Sequence, residues 1–281
     1  MQETTSTEVP QENKHQTAEL REEYIKKNYL LRINLFRDDI EGSFTPPPFY
    51  FKLTRFCYLW TFLSEIKDFF DYYAQTTTRH ENWFEHKGSP IPWDIPFGTI
   101  LDLYLESEQE KYFDIVFHYR NYPLKELGAL KNIDYIKECI IHNLKESAWI
   151  RSGKSDCIKN KLNPSDIDYL WKYIKEQKTK DIQTILDKLR PVFVTEQVPV
   201  KCFLKNTNQM LNKSVNREWT CLDFVKRHFP TILDEDGKLK DEYSKFKLLI
   251  SGVEIPLTTS FNVIDYVMSY MDFYIYITVT Y

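Results

Sequence analysis

Apolar and polar positions alternate where the folded part of the chain begins. Leu31-Arg32-Ile33-Asn34-Leu35 and Tyr50-Phe51-Lys52-Leu53 read as strands around a Thr45-Pro46-Pro47-Pro48 connection. Ahead of them, Leu20 to Asn28 reads as a charged helix with Leu20, Tyr24 and Ile25 as a narrow stripe. Residues 1–17 are mostly Gln, Glu, Thr and Ser, and are expected to form a disordered tail. Phe62, Ile66, Phe69, Phe70 and Tyr73 recur at three- and four-residue spacing, which predicts a helix. In the middle of the chain the period stays helical. Ile133, Ile136, Ile140 and Leu144 form one stripe, running to about Ile150. Asn163-Pro164 reads as an N-cap and first helical position, with Ile167, Leu170, Trp171 and Ile174 turned inward. Thr179 is read as the cap of a further helix that stops at Arg190-Pro191. Strand alternation then returns at Val198 to Leu204, followed by a helix over Trp219 to His228.

One phrase occurs twice, roughly 165 residues apart. The first copy runs from Trp83 through Lys87-Gly88, Ile91-Pro92 and Leu101-Asp102 to the strand Tyr112–Phe117. The second runs from Leu248 through Ser251-Gly252, Ile255-Pro256 and Ile264-Asp265 to Phe273–Ile277. Repetition of a whole unit is stronger evidence of architecture than any one residue. Each unit reads as two strands, a helix, then strand, glycine turn, short strand, helical turn and final strand, which is the order of a ubiquitin-like β-grasp. The expected fold is therefore α+β, with two ubiquitin-like domains flanking a helix-rich domain. The boundaries read as an N-terminal helix and first ubiquitin-like domain over 18–123, helices over 124–190 and a second ubiquitin-like domain over 191–281.

Composition narrows the function. The net charge is −4, with Lys and Glu mixed throughout, which is not the footprint of a nucleic-acid binder. The N-terminus lacks the apolar segment of a signal peptide. The longest apolar run, near the C-terminus, is broken by Asp272 and falls short of a membrane span. Five cysteines without a Cys-x-x-Cys pair fit a reduced, cytoplasmic protein.

Signals for enzyme chemistry are few. There is no Gly-x-Gly-x-x-Gly, phosphate loop or His-Glu-x-x-His. Cys139 and His142 lie three apart on a predicted helix, which would bring a thiol near a base as in a thiol-dependent transferase, but a buried Cys beside a surface His is the favoured account of the pair. Asp234-Glu235-Asp236-Gly237 begins like a calcium loop, but Tyr243 stands where the bidentate Glu belongs. A ubiquitin-like modifier requires a flexible C-terminal glycine. This sequence runs from a strand to Tyr281, so it is expected to act as acceptor or scaffold. No metal or cofactor is implied.

Trp83-Phe84-Glu85-His86, Pro90-Ile91-Pro92-Trp93, Pro96-Phe97-Gly98 and Leu101-Asp102 resemble the signature of the autophagy protein 5 family. Asn143-Leu144-Lys145-Glu146, Gly252-Val253-Glu254-Ile255-Pro256 and Tyr274-Ile275-Tyr276-Ile277-Thr278 match it too, and the resemblance covers roughly residues 20 to 281. It implies a non-catalytic subunit of a ligase-like conjugate. Lys145 would accept the ubiquitin-like autophagy protein 12 through an isopeptide bond, with Lys154 and Lys159 as neighbouring competitors. A lysine amine is almost wholly protonated at neutral pH, so the conjugating enzyme is expected to supply deprotonation. In some lineages of the family the same partner is held non-covalently.

The resemblance further implies a coiled-coil partner, autophagy protein 16, docked as a helix in a groove between the ubiquitin-like domains. Trp93, Phe97 and Tyr266 are candidate lining residues there, or fillers of their own cores. The conjugate would promote transfer of autophagy protein 8 to phosphatidylethanolamine, working with autophagy proteins 10 and 3 at the preautophagosomal membrane. The long N-terminal tail and the charged segment Arg151 to Leu162 depart from the family pattern. A ubiquitin-like interaction module of another pathway is the alternative without this chemistry.

Overall fold

Two five-stranded mixed sheets, one toward each end of the chain, hold a block of helices between them in sequence. The computed structural model describes residues 21, 24, 26–40, 42–74, 82–106, 110–130, 132–205, 207 and 209–281. The expected tail, residues 1–17, lies outside them. Of the helix read over Leu20 to Asn28, Arg21, Tyr24, Lys26, Lys27 and Asn28 are described; the first three are helical, whereas Lys27 lies outside the helix and Asn28 already belongs to the first strand.

The first sheet contains β1 (Asn28–Leu35), β2 (Phe49–Thr54), β3 (Trp83–His86), β4 (Ser89–Pro90) and β5 (Phe113–His118), in the order β2-β1-β5-β3-β4. Helices α1 (Leu63–Phe70) and α2 (Phe97–Tyr104) complete this domain. The middle block contains α3 (Asp134–Ser152), α4 (Asp156–Lys161), α5 (Pro164–Lys175) and α6 (Thr179–Leu186). The second sheet repeats the first: β6 (Gln197–Leu204), β7 (Met210–Asn216), β8 (Lys247–Ile250), β9 (Val253–Glu254) and β10 (Ile275–Thr280), in the order β7-β6-β10-β8-β9, with α7 (Cys221–His228) and α8 (Phe261–Met268). In each sheet the central pair is parallel, Ile33 opposite Ile115 and Cys202 opposite Ile277, while the other pairs are antiparallel. Two β-grasp domains thus flank the helices, as the repeat predicts.

The repeated phrase is repeated in its backbone. Lys87 and Gly88 have φ of 49° and 84°, and Ser251 and Gly252 have 47° and 79°. Two consecutive positive φ values make the tight turn whose twist matches antiparallel strands, and glycine at the second position adopts it without a Cβ penalty. The Ile of each Ile-Pro returns its amide to the preceding strand, Ile91 to the Phe84 carbonyl and Ile255 to the Leu248 carbonyl, both at 2.8 Å.

Local sequence sets the start of two helices. Asn163 closes a capping box with Asp166 over Pro164 at the first position of α5, and Thr220 does the same with Asp223 for α7. Thr179 is the first residue of α6 rather than its cap. Lys178 occupies the cap and makes no side-chain bond there. The charged segment after Arg151 contains α4, which buries Ile158.

The domains share one buried core. Helix α2 of the first domain packs across β8 and β10 of the second, and Phe56 stacks on Tyr270 at 5.4 Å between ring centres. Gly98 makes the close approach possible, since a Cβ there would overlap Ser251 Oγ and Tyr270 Oη.

Candidate functional site

Helix α3 carries Lys145 on a face turned to solvent. At 100° per residue, Ile136, Ile140, Leu144, Ser147, Ala148 and Arg151 fall on the buried side. Glu138, His142, Lys145 and Trp149 are exposed, and Trp149 is 63% exposed one turn beyond Lys145. The helix ends at Gly153, whose φ of 68° and amide bond to the Trp149 carbonyl (2.7 Å) form a left-handed cap. Lys154 and Lys159 are also exposed, but both lie past that cap. The Glu146 carboxylate faces Tyr274. It adds to burial in pushing that phenol far above its ordinary pKa.

Polar residues on the buried side fasten α3 to the second domain. Asn143 Nδ2 donates to Asp272 (3.3 Å), and its carbonyl oxygen accepts from Lys201 Nζ (3.0 Å). Ser147 Oγ donates to the Phe273 carbonyl at 3.3 Å. Arg151 donates to both carboxylate oxygens of Asp265 at 2.6 and 3.1 Å, and to the carbonyls of Phe273 and Phe193 at 2.9 Å each. Asp272, which breaks the C-terminal apolar run in sequence, is fully buried. It accepts the Tyr276 hydroxyl at 2.6 Å and the Tyr274 amide at 3.1 Å. Burial raises its pKa, against the pull of Lys201 and Tyr276.

A groove of about 780 Å³ opens between the two ubiquitin-like domains, lined among others by Lys27, Arg55, Asp102, Glu106, Lys205 and Glu254. Asp102 and Arg55 form its floor. Their ion pair spans 3.4 Å with both side chains nearly inaccessible, and among the described residues Asp102 Oδ2 and Arg55 Nε have no hydrogen-bond partner. Burial pushes Asp102 up to about 7, against Arg55 and the Gly252 and Ser251 amides. Lys205 reaches across from the second domain to the Leu105 carbonyl at 2.7 Å, capping the end of α2. Arg21 fastens the N-terminal turn to the second domain through the carbonyls of Tyr266 (2.7 Å) and Val267 (2.9 Å). Tyr24 adds a bond to Ser251 Oγ at 3.0 Å.

The aromatic residues expected to line a partner groove are distributed differently. Trp93 is buried, donates its indole N–H to the Leu127 carbonyl (2.7 Å), and so joins the first domain to the helices. Phe97 is wholly buried against Phe113. Both rings therefore belong to buried packing and are absent from the groove lining. Tyr266 is 38% exposed, away from the groove lining, with Arg190 over its ring. Cys139 is half-buried, and burial together with Asp94 and Glu138 raises its thiol pKa, which works against a nucleophilic thiolate. Asp234 caps its own turn, accepting the Lys238 amide at 2.8 Å. Among the described residues no helix is long and apolar enough to cross a membrane.

The arrangement matches known proteins along most of the chain. Three family models fit in order: the UblA domain of autophagy protein ATG5 over 26–119, its alpha-helical bundle region over 133–192 and its UblB domain over 197–279. The chain is 32% identical to an Arabidopsis thaliana autophagy protein 5 over half of its own length and 41% of that protein's. It is 20% identical to the Debaryomyces hansenii protein over 95% of its own length and 97% of that relative's. The alignments thus span about two fifths of the plant proteins and nearly all of this yeast one. The Kluyveromyces marxianus Atg5 crystal structure superposes with a TM-score of 0.78 at 19% identity, covering 93% of this chain and 99% of that one. With three successive domains matched and the fold shared throughout, the chain belongs to the autophagy protein 5 family and has a role in autophagy.

Proposed function

We propose that this chain is the non-catalytic acceptor subunit of an autophagy conjugate, with Lys145 receiving the C-terminal glycine of the ubiquitin-like autophagy protein 12. In that step the deprotonated Lys145 Nζ attacks the thioester carbonyl on the conjugating enzyme's cysteine. A C–N bond forms, the C–S bond breaks, the thiolate leaves, and the amine proton passes to a base of the conjugating enzyme or to water. One observation carries the reading. The Lys145 amine stands exposed on a helix whose opposite face is held by Asn143, Ser147 and Arg151. An exposed amine on a fixed support meets an incoming acyl donor with little orientation to lose.

The groove between the ubiquitin-like domains is assigned to the helix of autophagy protein 16. Its lining mixes cationic and anionic side chains with the apolar Leu101, Leu105 and Leu249, which suits an amphipathic helix. The assembled conjugate then promotes transfer of autophagy protein 8 to phosphatidylethanolamine, with autophagy proteins 10 and 3 supplying the thioester chemistry. The chain works from the cytoplasm as a peripheral component at the preautophagosomal membrane.

The test is Lys145→Arg in cells, blotting for this chain. The wild type is expected to run partly as a species heavier by about one ubiquitin-like domain, and the variant without it. A wild type that never shifts overturns covalent acceptance, and a shift that survives the substitution overturns the site.

A further inference from the structure

The buried guanidinium of Arg151 is a saturated joint. Its five N–H groups meet five acceptors: Nε faces Ser147 Oγ at 3.4 Å, Nη1 meets Asp265 Oδ2 and the Phe193 carbonyl, and Nη2 meets Asp265 Oδ1 and the Phe273 carbonyl. The Arg151 and Asp265 side chains are 0% and 6% exposed. Phe273, which supplies one of the carbonyls, holds a φ of 59°, uncommon for a residue with a Cβ. Its ring packs edge-on against Phe193 at 4.5 Å, and Arg217 stands 3.6 Å from Asp265 as a second cation. Three chain segments (the end of α3, the loop before β6 and the α8–β10 corner) therefore meet at one side chain.

Along α3, Asn143, Ser147 and Arg151 recur every four residues. They fall about 160° to 240° around the helix from Lys145 and bracket it along the axis. Lys154 lies outside this bracket, past the Gly153 turn.

We infer that Arg151, acting through Asp265 and the Phe273 carbonyl, is a positioning residue that selects Lys145 among the lysines of this region as the modified one. The inference rests on the acceptor reading above for its chemistry and on the joint for its geometry. A helix anchored on one face offers the opposite face in a single orientation. Releasing the anchor lets the end of α3 fray and makes Lys154 and Lys159 competitive. Lysine cannot replace Arg151, because a point ammonium satisfies neither the bidentate carboxylate nor both carbonyls.

The experiment uses the full chain with autophagy protein 12 and its activating and conjugating enzymes, purified from one source. Conjugation is followed by gel, and the modified lysine by peptide mass mapping. Asp265→Asn and Arg151→Lys are expected to slow conjugation at Lys145 on the order of tenfold and to spread modification to Lys154 and Lys159. The milder Ser147→Ala is expected to show the same redistribution to a smaller extent. Phe224→Leu, a core change in the second domain away from α3, serves as the matched destabilised control and is expected to keep modification on Lys145.

Wild-type rate and site selection in Asp265→Asn overturn the inference, as does an equal redistribution in the control. Hydrogen exchange of the same variants supplies an arm that needs no conjugation. Amides of 143–152 should exchange on the order of tenfold faster in Asp265→Asn while α5 is unchanged, and equal protection overturns the joint. If the wild type forms no conjugate while the exchange arm behaves as expected, the acceptor reading fails and the joint stands.

Discussion

The two ubiquitin-like domains share strand order, turn geometry and an aspartate on the second helix, yet they use that aspartate differently. Asp102 is paired within its own domain, to Arg55, at 3.4 Å and with one carboxylate oxygen left over at the floor of the groove. Asp265 is paired across domains, to Arg151 of the helical block, through both oxygens. The sheets differ in parallel. In β5, Asp114 and Val116 stay half-exposed between buried neighbours, so one face of the first sheet meets solvent. In β10 every residue from Ile275 to Val279 is buried, since α2 of the first domain packs on this strand and α3 lies on the neighbouring β6. The duplicated unit has thus become one domain that presents a surface and one that serves as the interior support for the others.

The sharpest way to break this contrast is at the cross-domain pair. Asp265→Asn removes the carboxylate from a wholly buried guanidinium, and stranding one member of a buried pair typically costs about 3–5 kcal/mol. Urea denaturation at neutral pH is expected to show a loss of that order. Replacing both partners, as Arg151→Met with Asp265→Leu, should recover part of it, because the wholly buried guanidinium is then gone while Arg217 still loses its neighbouring carboxylate. A double variant no more stable than Asp265→Asn would mean that Arg151 contributes by its contacts with the carbonyls rather than by the ion pair.

A smaller effect separates the two turns. Gly88→Ala and Gly252→Ala impose the same backbone strain, about 1–2 kcal/mol for an L-residue in the left-handed region. Around Gly88 there is open space, whereas a Cβ on Gly252 overlaps the Arg55 guanidinium. Gly252→Ala is therefore expected to cost about 1–3 kcal/mol more, read as the difference between the two urea midpoints. Equal losses would show that Arg55 swings aside freely and that the junction is looser than its packing.

How much of this was legible in sequence follows from the distance over which each feature acts. The glycine turns, the Ile-Pro returns and the Asn163-Pro164 cap each depend on residues a few positions apart, so spacing alone marks them. Lys145 is marked by resemblance and by lying off the Ile136–Ile140–Leu144 stripe. The Arg151–Asp265 joint spans 114 positions, and nothing local distinguishes Arg151 from a solvated arginine at a helix end. Asp272 has the same difficulty. It looks like an interruption of an apolar run, yet it is the buried acceptor that Tyr276 and Asn143 converge on. Trp93 and Phe97 stay open in sequence between groove lining and core, because spacing does not say which side of an element a ring meets; in the fold both are buried.

The remaining prediction concerns Asp102 and is a matter of pH. Its folded pKa of about 7 lies above the ordinary carboxyl value near 3.9 that it regains on unfolding. Below about pH 4 the group is protonated in both states and adds no pH dependence. As pH rises from there to 7 the unfolded chain ionises first, so folding takes up a proton and stability declines, by about 1.4 kcal/mol per pH unit at the steepest. Above 7 both states are ionised and the decline stops. Asp102→Asn should therefore flatten the stability profile between pH 5 and 7 relative to the wild type, measured as Tm at closely spaced pH values, and leave the two curves parallel above pH 8. A wild-type slope retained in Asp102→Asn would mean that the carboxyl on the groove floor is not the group whose protonation accompanies folding.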